Sequence, residues 1–215
     1  MRIAIVGGTG KEGRGLARRW AAAGHEVRIG SRDDEKARQC AKNLTETDPL
    51  KIDGGSNAWA IESAEVVVLS IPYSAHGETV RALKSQLGDA VIIDITVPLR
   101  PPRVTEVNIP PGHSAALEMA DILGKNAPIA ATLHHVSATH LADPGHAFES
   151  DALVCADSER AKAVAMTLVG DLGLRPLDGG PLRNAIALEA LTPLLLHLGK
   201  RYGHPGVGVR FVGIP

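Results

Sequence analysis

Apolar residues in this chain fall into short runs separated by glycine, proline and polar clusters. Arg2–Val6 (RIAIV) is a β-rich run, and Glu26–Ile29 is a second. Between them Leu16–Ala23 has helical spacing, and Gly24 ends it. A helix is expected over Glu35–Leu44, then an irregular stretch, then a small helix over Ala58–Ser63. Glu65–Ile71 (EVVVLSI) is almost continuously apolar, the pattern of a parallel strand covered on both faces. Ser74–Leu87 has the pattern of a helix, and Ala90–Ile95 (AVIIDI) that of another buried strand. The proline-dense segment Pro98–Pro111 is a loop, Ser114–Leu123 a helix and Pro128–Leu133 a strand. This alternation predicts an α/β fold built on a doubly wound parallel sheet.

From about His140 the texture changes. Leu153–Cys155 and Arg175–Leu177 are short strands flanking a helix over Ser158–Leu172. Pro181 then opens a long apolar helix, Leu182–Tyr202, in which Pro193 should produce a kink. A helix this apolar is buried on most sides, either in the chain's own core or against a second subunit. The expected division is a domain over residues 1–139 and a smaller α+β C-terminal domain over residues 140–215.

Chemistry enters at the end of the first strand. Gly8, Thr9, Gly10, Lys11, Glu12 and Gly13 fit G-x-G-x-x-G between a strand and a helix. In that context Gly8 permits the tight turn, Gly10 lets a pyrophosphate approach the backbone, and Gly13 lets the helix pack close to the strand. The helix start presents unpaired N–H groups and a positive dipole end to the pyrophosphate. The setting makes the sheet Rossmann-like; a βαβ unit without a nucleotide is the competing reading. After the second strand comes Gly30-Ser31-Arg32, where an NAD site usually places an acidic residue on the ribose 2′-hydroxyl. A hydroxyl with a guanidinium matches a 2′-phosphate, and Lys36 one helical turn on adds a second cation. The expected cofactor is NADP(H). Asp33, Asp34 and Glu35 suit a helix N-terminus.

Composition narrows the partners. The chain has 215 residues, 44% of them hydrophobic, enough for an ordinary core, and its formal net charge of −1 gives no field to attract nucleic acid or anionic lipid. Aromatic content of 3% argues against a base-stacking surface. No apolar run reaches the ~18 residues that suggest a membrane span. Met1-Arg2-Ile3-Ala4 runs straight into a strand without a signal-peptide pattern. Cys40 and Cys155 are isolated, as expected of reduced thiols in the cytoplasm.

Ligands of doubly wound sheets bind at the carboxyl ends of the strands. That puts Ser70-Ile71-Pro72-Tyr73, Thr96-Val97-Pro98 and His134-His135-Val136-Ser137-Ala138 around one crevice. Walls of this kind suit flat stacked rings. His76 and His134 are the candidates for proton chemistry, with a structural role as the alternative for each. A Tyr-x-x-x-Lys pair is absent, because Tyr73 is followed by Gly77 and Tyr202 by Gly206. The long helix has no lysine before Lys200, and the histidines at 134, 135 and 140 lack a metal-binding pattern, so no metal is expected. A hydride transfer without a strong acid or base fits best.

At this point the segments GGTGKEGRGLARRWAAAGHEVRIGSRDDEKA, LSIPYSAH, DITVPL, HSAALEMADIL, HHVSATHLAD and GLRPLDGGPLRNAIALEALTPLLL together resemble NADPH-dependent reductases of the deazaflavin coenzyme F420. The resemblance runs from Arg2 nearly to the C-terminus. It implies direct hydride exchange between carbon 4 of NADP(H) and carbon 5 of the deazaflavin, a Rossmann domain with a smaller C-terminal domain, and a homodimer. Carried over by motif, Thr9, Ser31, Arg32 and Lys36 hold NADP phosphates. Ile71, Val97 and Ala138 line the nicotinamide, while Pro72, Pro98 and His134 border the deazaflavin. Tyr73 stands where many members have Trp, and the loop Leu99–Pro111 has its own sequence. Other acceptors (a flavin, quinone or imine) and an NADP-binding sensor without turnover are the alternatives.

Overall fold

The structure, a computed structural model, describes residues 1–46, 49–204 and 206–214. Strands Arg2–Val6 (β1) and Glu26–Ser31 (β2) flank helix Lys11–Ala22 (α1). Helix Asp34–Thr45 (α2) leads to strand Ile52–Ser56 (β3) and the short helix Asn57–Ile61 (α3). Strand Val66–Leu69 (β4), helix Tyr73–Leu83 (α4), strand Val91–Asp94 (β5), helix Ala115–Leu123 (α5) and strand Ile129–Ala131 (β6) follow. The remainder is helix Ala138–Ala142 (α6), strand Asp151–Ala156 (β7), helix Glu159–Asp171 (α7), strand Arg175–Asp178 (β8) and helix Ala185–Tyr202 (α8).

The eight strands form one sheet in the order β3-β2-β1-β4-β5-β6-β7-β8. All neighbouring pairs are parallel except β6 with β7. The chain leaves the β3 edge, crosses over β1 and continues outward from β4, so the switch point of the topology lies between β1 and β4. Strands β4 and β5 are buried along their whole length, as their apolar runs require.

Strand β3 and helix α8 depart from the expected pattern. The segment expected to be irregular before α3 is strand β3, whose IDGGS sequence has little intrinsic β preference. It forms because Gly54 and Gly55 let the backbone of α2 and the ring of Trp59 come within contact distance, where a Cβ would clash. The strands after His140 extend the same sheet: Cys155 pairs with Ala131, and β8 runs parallel to β7 at the edge. Helix α8 runs from Ala185 through Pro193 to Tyr202 and buries one face, Leu188, Glu189, Pro193 and Leu195, while Leu194 and Leu196 stay exposed. Within the chain it is therefore half covered rather than buried on most sides.

One core face collects Leu16 and Trp20 of α1, Ala37 of α2 and Leu168 of α7; the other collects Ala60, Val80, Met119 and Leu188. Trp20, fully buried, donates from Nε1 to the Leu168 carbonyl at 2.9 Å, tying α1 to α7. Trp20→Phe removes that donor and leaves a buried acceptor short of a partner, which costs about 1–3 kcal/mol. The urea midpoint should fall accordingly, and an unchanged midpoint would show that the bond contributes nothing.

Candidate functional site

The turn after β1 is set by space. Gly7 has φ +72°, a conformation that L side chains rarely adopt, so the left-handed turn residue is Gly7 rather than Gly8. Gly8 is needed for a different reason: a Cβ there would sit 2.9 Å from the Ile5 carbonyl oxygen. Its N–H donates to Ile5 O at 3.1 Å and to Gly30 O at 3.0 Å. A Cβ on Gly13 would lie 2.6 Å from Gly8 Cα, so this glycine lets α1 rest directly on the turn. Thr9, half-buried, lies between Gly8 and the exposed Gly10.

Gly10 is the N-cap of α1, and its side provides no capping hydrogen bond. A Cβ built there meets only Gly7 O, at 3.7 Å, so no protein atom fills the space above the helix start. The free N–H groups of that first turn, with the helix dipole behind them, face this space. This open cradle fits a pyrophosphate. Lys11 and Glu12 line the adjoining cavity, and burial pushes the Glu12 carboxyl up to about 8, which leaves it largely uncharged at neutral pH.

Asn57, at the start of α3, is a residue the motif alone does not indicate. Its Oδ1 accepts from Gly7 N at 3.3 Å, and a Cβ on Gly30 would meet the same oxygen at 2.7 Å. One amide side chain thus fits between the ends of β1 and β2 and holds the turn. Only Gly30, lacking a side chain, leaves it room.

Ser31 ends β2, buried, its Oγ accepting from Asp33 N at 3.1 Å. Asp33 in turn caps α2 by accepting from Lys36 N at 3.1 Å. Arg32 and Lys36 are both exposed, and neither has a carboxylate partner among the described residues. The acidic Asp34 and Glu35 pair with Arg38 instead. The acidic run that follows Arg32 is thereby occupied elsewhere.

Beyond the turn, a cavity of about 980 Å³ runs over the ends of β4, β5 and β6. Gly10, Lys11 and Glu12 form one end; Ser70, Ile71, Pro72 and Tyr73 come after β4, Ile95, Thr96 and Val97 after β5, and His134 and Val136 after β6. Thr192 and Leu196 of α8 close the remaining side. Thr192 Oγ1 donates to His134 O at 2.7 Å, fixing that loop to α8. A second cavity of about 560 Å³ shares His134, Val136, Thr192 and Leu196 with the first, and Ala138 lines it rather than the main one. Pro98 is buried behind the wall, where its carbonyl accepts from Asn108 Nδ2 at 3.0 Å. The crevice anticipated around three strand ends is thus one continuous space, with Pro98 and Ala138 at its margins.

The histidines divide sharply. His76 is fully buried and lines neither cavity; its Nε2 and Asp94 Oδ2 are 2.9 Å apart. Asp94 Oδ1 also accepts from Thr96 N at 3.0 Å, and these bonds hold its carboxyl below the usual range against the opposing effect of burial. His76 therefore positions Asp94 beneath the floor and is out of reach of a ring above it. His135 Nε2 bonds the Asp151 carbonyl at 3.0 Å, a structural role. His134 faces both cavities with neither ring nitrogen partnered, and burial pushes its pKa down to about 4. At neutral pH it is an uncharged imidazole with one N–H to donate. The residue before it, Leu133, is buried with φ +65°, a costly conformation for a branched side chain at the turn that leads into His134.

The family model described as NADP oxidoreductase, coenzyme F420-dependent, matches residues 2–98. The chain is 36% identical to the F420-dependent NADP reductase of Methanothermobacter thermautotrophicus, over its whole length and 96% of that protein. It is 35% identical to the protein of the same name from Methanocaldococcus jannaschii, covering 99% of it. A solved structure from Arthrobacter sp. FB24, put forward there as an F420-dependent NADP reductase, superposes with a TM-score of 0.82 at 27% identity and 99% coverage of both chains.

The open space at Gly10 makes a direct prediction. Its φ of −70° suits any residue, so Gly10→Val should fold with an unchanged melting curve. The valine side chain would occupy the pyrophosphate space, and a fluorescence titration should find no NADPH binding. Retained affinity would place the dinucleotide elsewhere.

Proposed function

This chain belongs to the F420-dependent NADP reductase family, and from that premise we propose that it is an NADP-dependent oxidoreductase that moves a hydride between NADP(H) and the deazaflavin coenzyme F420. The observation that carries this reading is the single cavity reaching from the uncapped start of α1 to the proline-rich loop, apolar along most of its walls. When both are bound, the cofactors themselves supply the chemistry, a hydride passing between carbon 4 of the nicotinamide and carbon 5 of the deazaflavin. The protein supplies proximity, alignment and exclusion of water.

Roles follow from position. The N–H groups at Lys11 and Glu12 receive the pyrophosphate over Gly10, whose own N–H donates to Gly7 O at 3.3 Å. The hydroxyl of Ser31 and the cations of Arg32 and Lys36 receive the 2′-phosphate, and Thr9 in the glycine turn helps hold the NADP phosphates. Ile71 and Val97 support the nicotinamide, Ser70 lies at its edge, and Ala138 meets it from the second cavity. Pro72 and His134 border the deazaflavin, His134 as a neutral hydrogen-bond donor, and Pro98 holds the wall from behind. No side chain is assigned as an acid, base or nucleophile.

Residues 140–215 form the substrate-side and dimerisation region in this reading. The exposed Leu194 and Leu196 of α8 and Tyr202 at its end support pairing with a second copy. No helix among the described residues is long and apolar enough to cross a membrane, in keeping with a cytoplasmic enzyme. Stopped-flow oxidation of NADPH with coenzyme F420 and with FMN side by side tests the choice of acceptor: fast oxidation by the deazaflavin alone is expected, and equal rates would overturn it.

Cofactor selectivity rests on Arg32. A charge-assisted bond of this kind is worth enough that Arg32→Ala should weaken NADPH at least about tenfold and NADH little. Equal loss for both dinucleotides would show that Arg32 does not read the 2′-phosphate.

Mechanism is tested at His134. His134→Ala should slow turnover only about tenfold, through lost positioning, whereas a loss beyond about a thousandfold would mark an essential proton donor. Deuterium at carbon 4 of NADPH should appear in the reduced deazaflavin. Solvent hydrogen at carbon 5 would falsify direct transfer.

A further inference from the structure

The loop between β5 and α5 forms the outer wall of the main cavity and also encloses a smaller cavity of about 390 Å³. Arg100, Pro101 and Asn108 line both, so the two spaces are neighbours across these residues. The outer space is completed by Pro102, Arg103, Glu106 and Val107. Two successive turns set the spacing of its cations: Arg103 N donates to Arg100 O at 2.8 Å, and Glu106 N donates to Arg103 O at 3.2 Å. The Asn108–Pro98 bond ties the loop across its base, and Gly112 N donates to Glu118 Oε1 at 3.1 Å at its far end. With prolines at 101, 102, 110 and 111 the segment is largely pre-shaped, so holding a ligand costs it little ordering entropy.

The charge of this outer space is positive. Arg100 and Arg103 are exposed, and Arg100 has no carboxylate partner among the described residues. The one carboxylate beside them, Glu106, pairs with Arg103 at 3.7 Å in a solvent-exposed contact of little strength. An apolar ring cavity bordered by a cationic annex is the shape expected for a flat ring that carries an anionic appendage.

We propose that the annex binds an anionic side chain attached to the acceptor ring, its phosphodiester or carboxylate oxygens received by Arg100 and Arg103. This rests on the reading that the acceptor ring lies in the main cavity. Coenzyme F420 has such a side chain, a phosphodiester extended by glutamates, and its ribityl-deazaflavin fragment lacks it. The annex therefore separates recognition of the appendage from alignment of the ring.

The test compares steady-state reduction of coenzyme F420 with that of its ribityl-deazaflavin fragment, at low and high salt. Wild-type protein should show a KM at least tenfold lower for the whole coenzyme, the gap closing as salt screens the contact. Charge reversal in Arg100→Glu/Arg103→Glu should raise the KM for the whole coenzyme at least tenfold. It should leave kcat, the KM for the ribityl-deazaflavin fragment and the NADPH dissociation constant within about twofold. Arg100→Gln, which adds no charge, should move the same KM in the same direction by less, and it carries the comparison if the double variant does not fold. Equal KM changes for both acceptors, or none for either, would overturn the annex alone. Failure of the wild type to reduce either acceptor would overturn the underlying reading with it.

Discussion

The contact between Gly8 and Gly13 governs how the whole site is assembled. With 2.6 Å between one Cα and the position of a Cβ on the other residue, any larger side chain would lift α1 off the strand end. Because α1 sits this low, its uncapped first turn opens into the crevice. Farther along the helix Gly15 allows equally close contact with Leu141 of α6, and Arg19 donates to the carbonyls of His140, Leu141, Asp143, His146 and Leu172. Helix α1 is thus held at both ends, and it fixes the height of the glycine turn and the path of the loop leaving β6 together.

Beneath the crevice is a polar layer isolated from water. Asp94, with His76 on one oxygen and the Thr96 N–H on the other, is the charged centre of that layer. Glu189 reaches in from α8 to accept from Ala115 N and Ala116 N at the start of α5. Burial, with Asp94 nearby, pushes its pKa up to about 8 against the lowering effect of those bonds. Each of these groups is stabilised by directed hydrogen bonds rather than by solvent, so the floor is stiff as well as polar. The apolar walls of Ile71, Val97 and Val136 stand on it.

The legible parts of the protein are those in which one short segment carries its own pattern. EVVVLSI and AVIIDI announce buried strands because both their faces are apolar, and the crevice residues could be located because each follows such a strand. Strand β3 was not legible: its two glycines contribute nothing to a periodicity, and only the proximity of α2 and Trp59 makes them necessary. Helix α6, five residues long, is likewise defined by its contact with α1. The same holds within the site. Gly10, Ser31 and Arg32 are local signatures, but Asn57 acts on a turn fifty residues away, and Thr192 and Glu189 act from the far end of the chain. A spacing rule can reveal neighbours in sequence; it cannot show that an amide from a third strand's end fills a slot left by a glycine on the second.

The proline-rich loop is joined to the rest of the site at few points, the Asn108–Pro98 bond and the Glu118 carboxylate that also accepts from Tyr73 at 2.9 Å. The dinucleotide half, by contrast, is written into strand ends and helix starts that cannot change without disturbing the sheet. Mutational drift therefore meets unequal resistance on the two sides of one cavity. A lineage could replace the entire loop while every contact that holds the glycine turn is inherited intact. The cavity has, in effect, a fixed socket and an interchangeable rim.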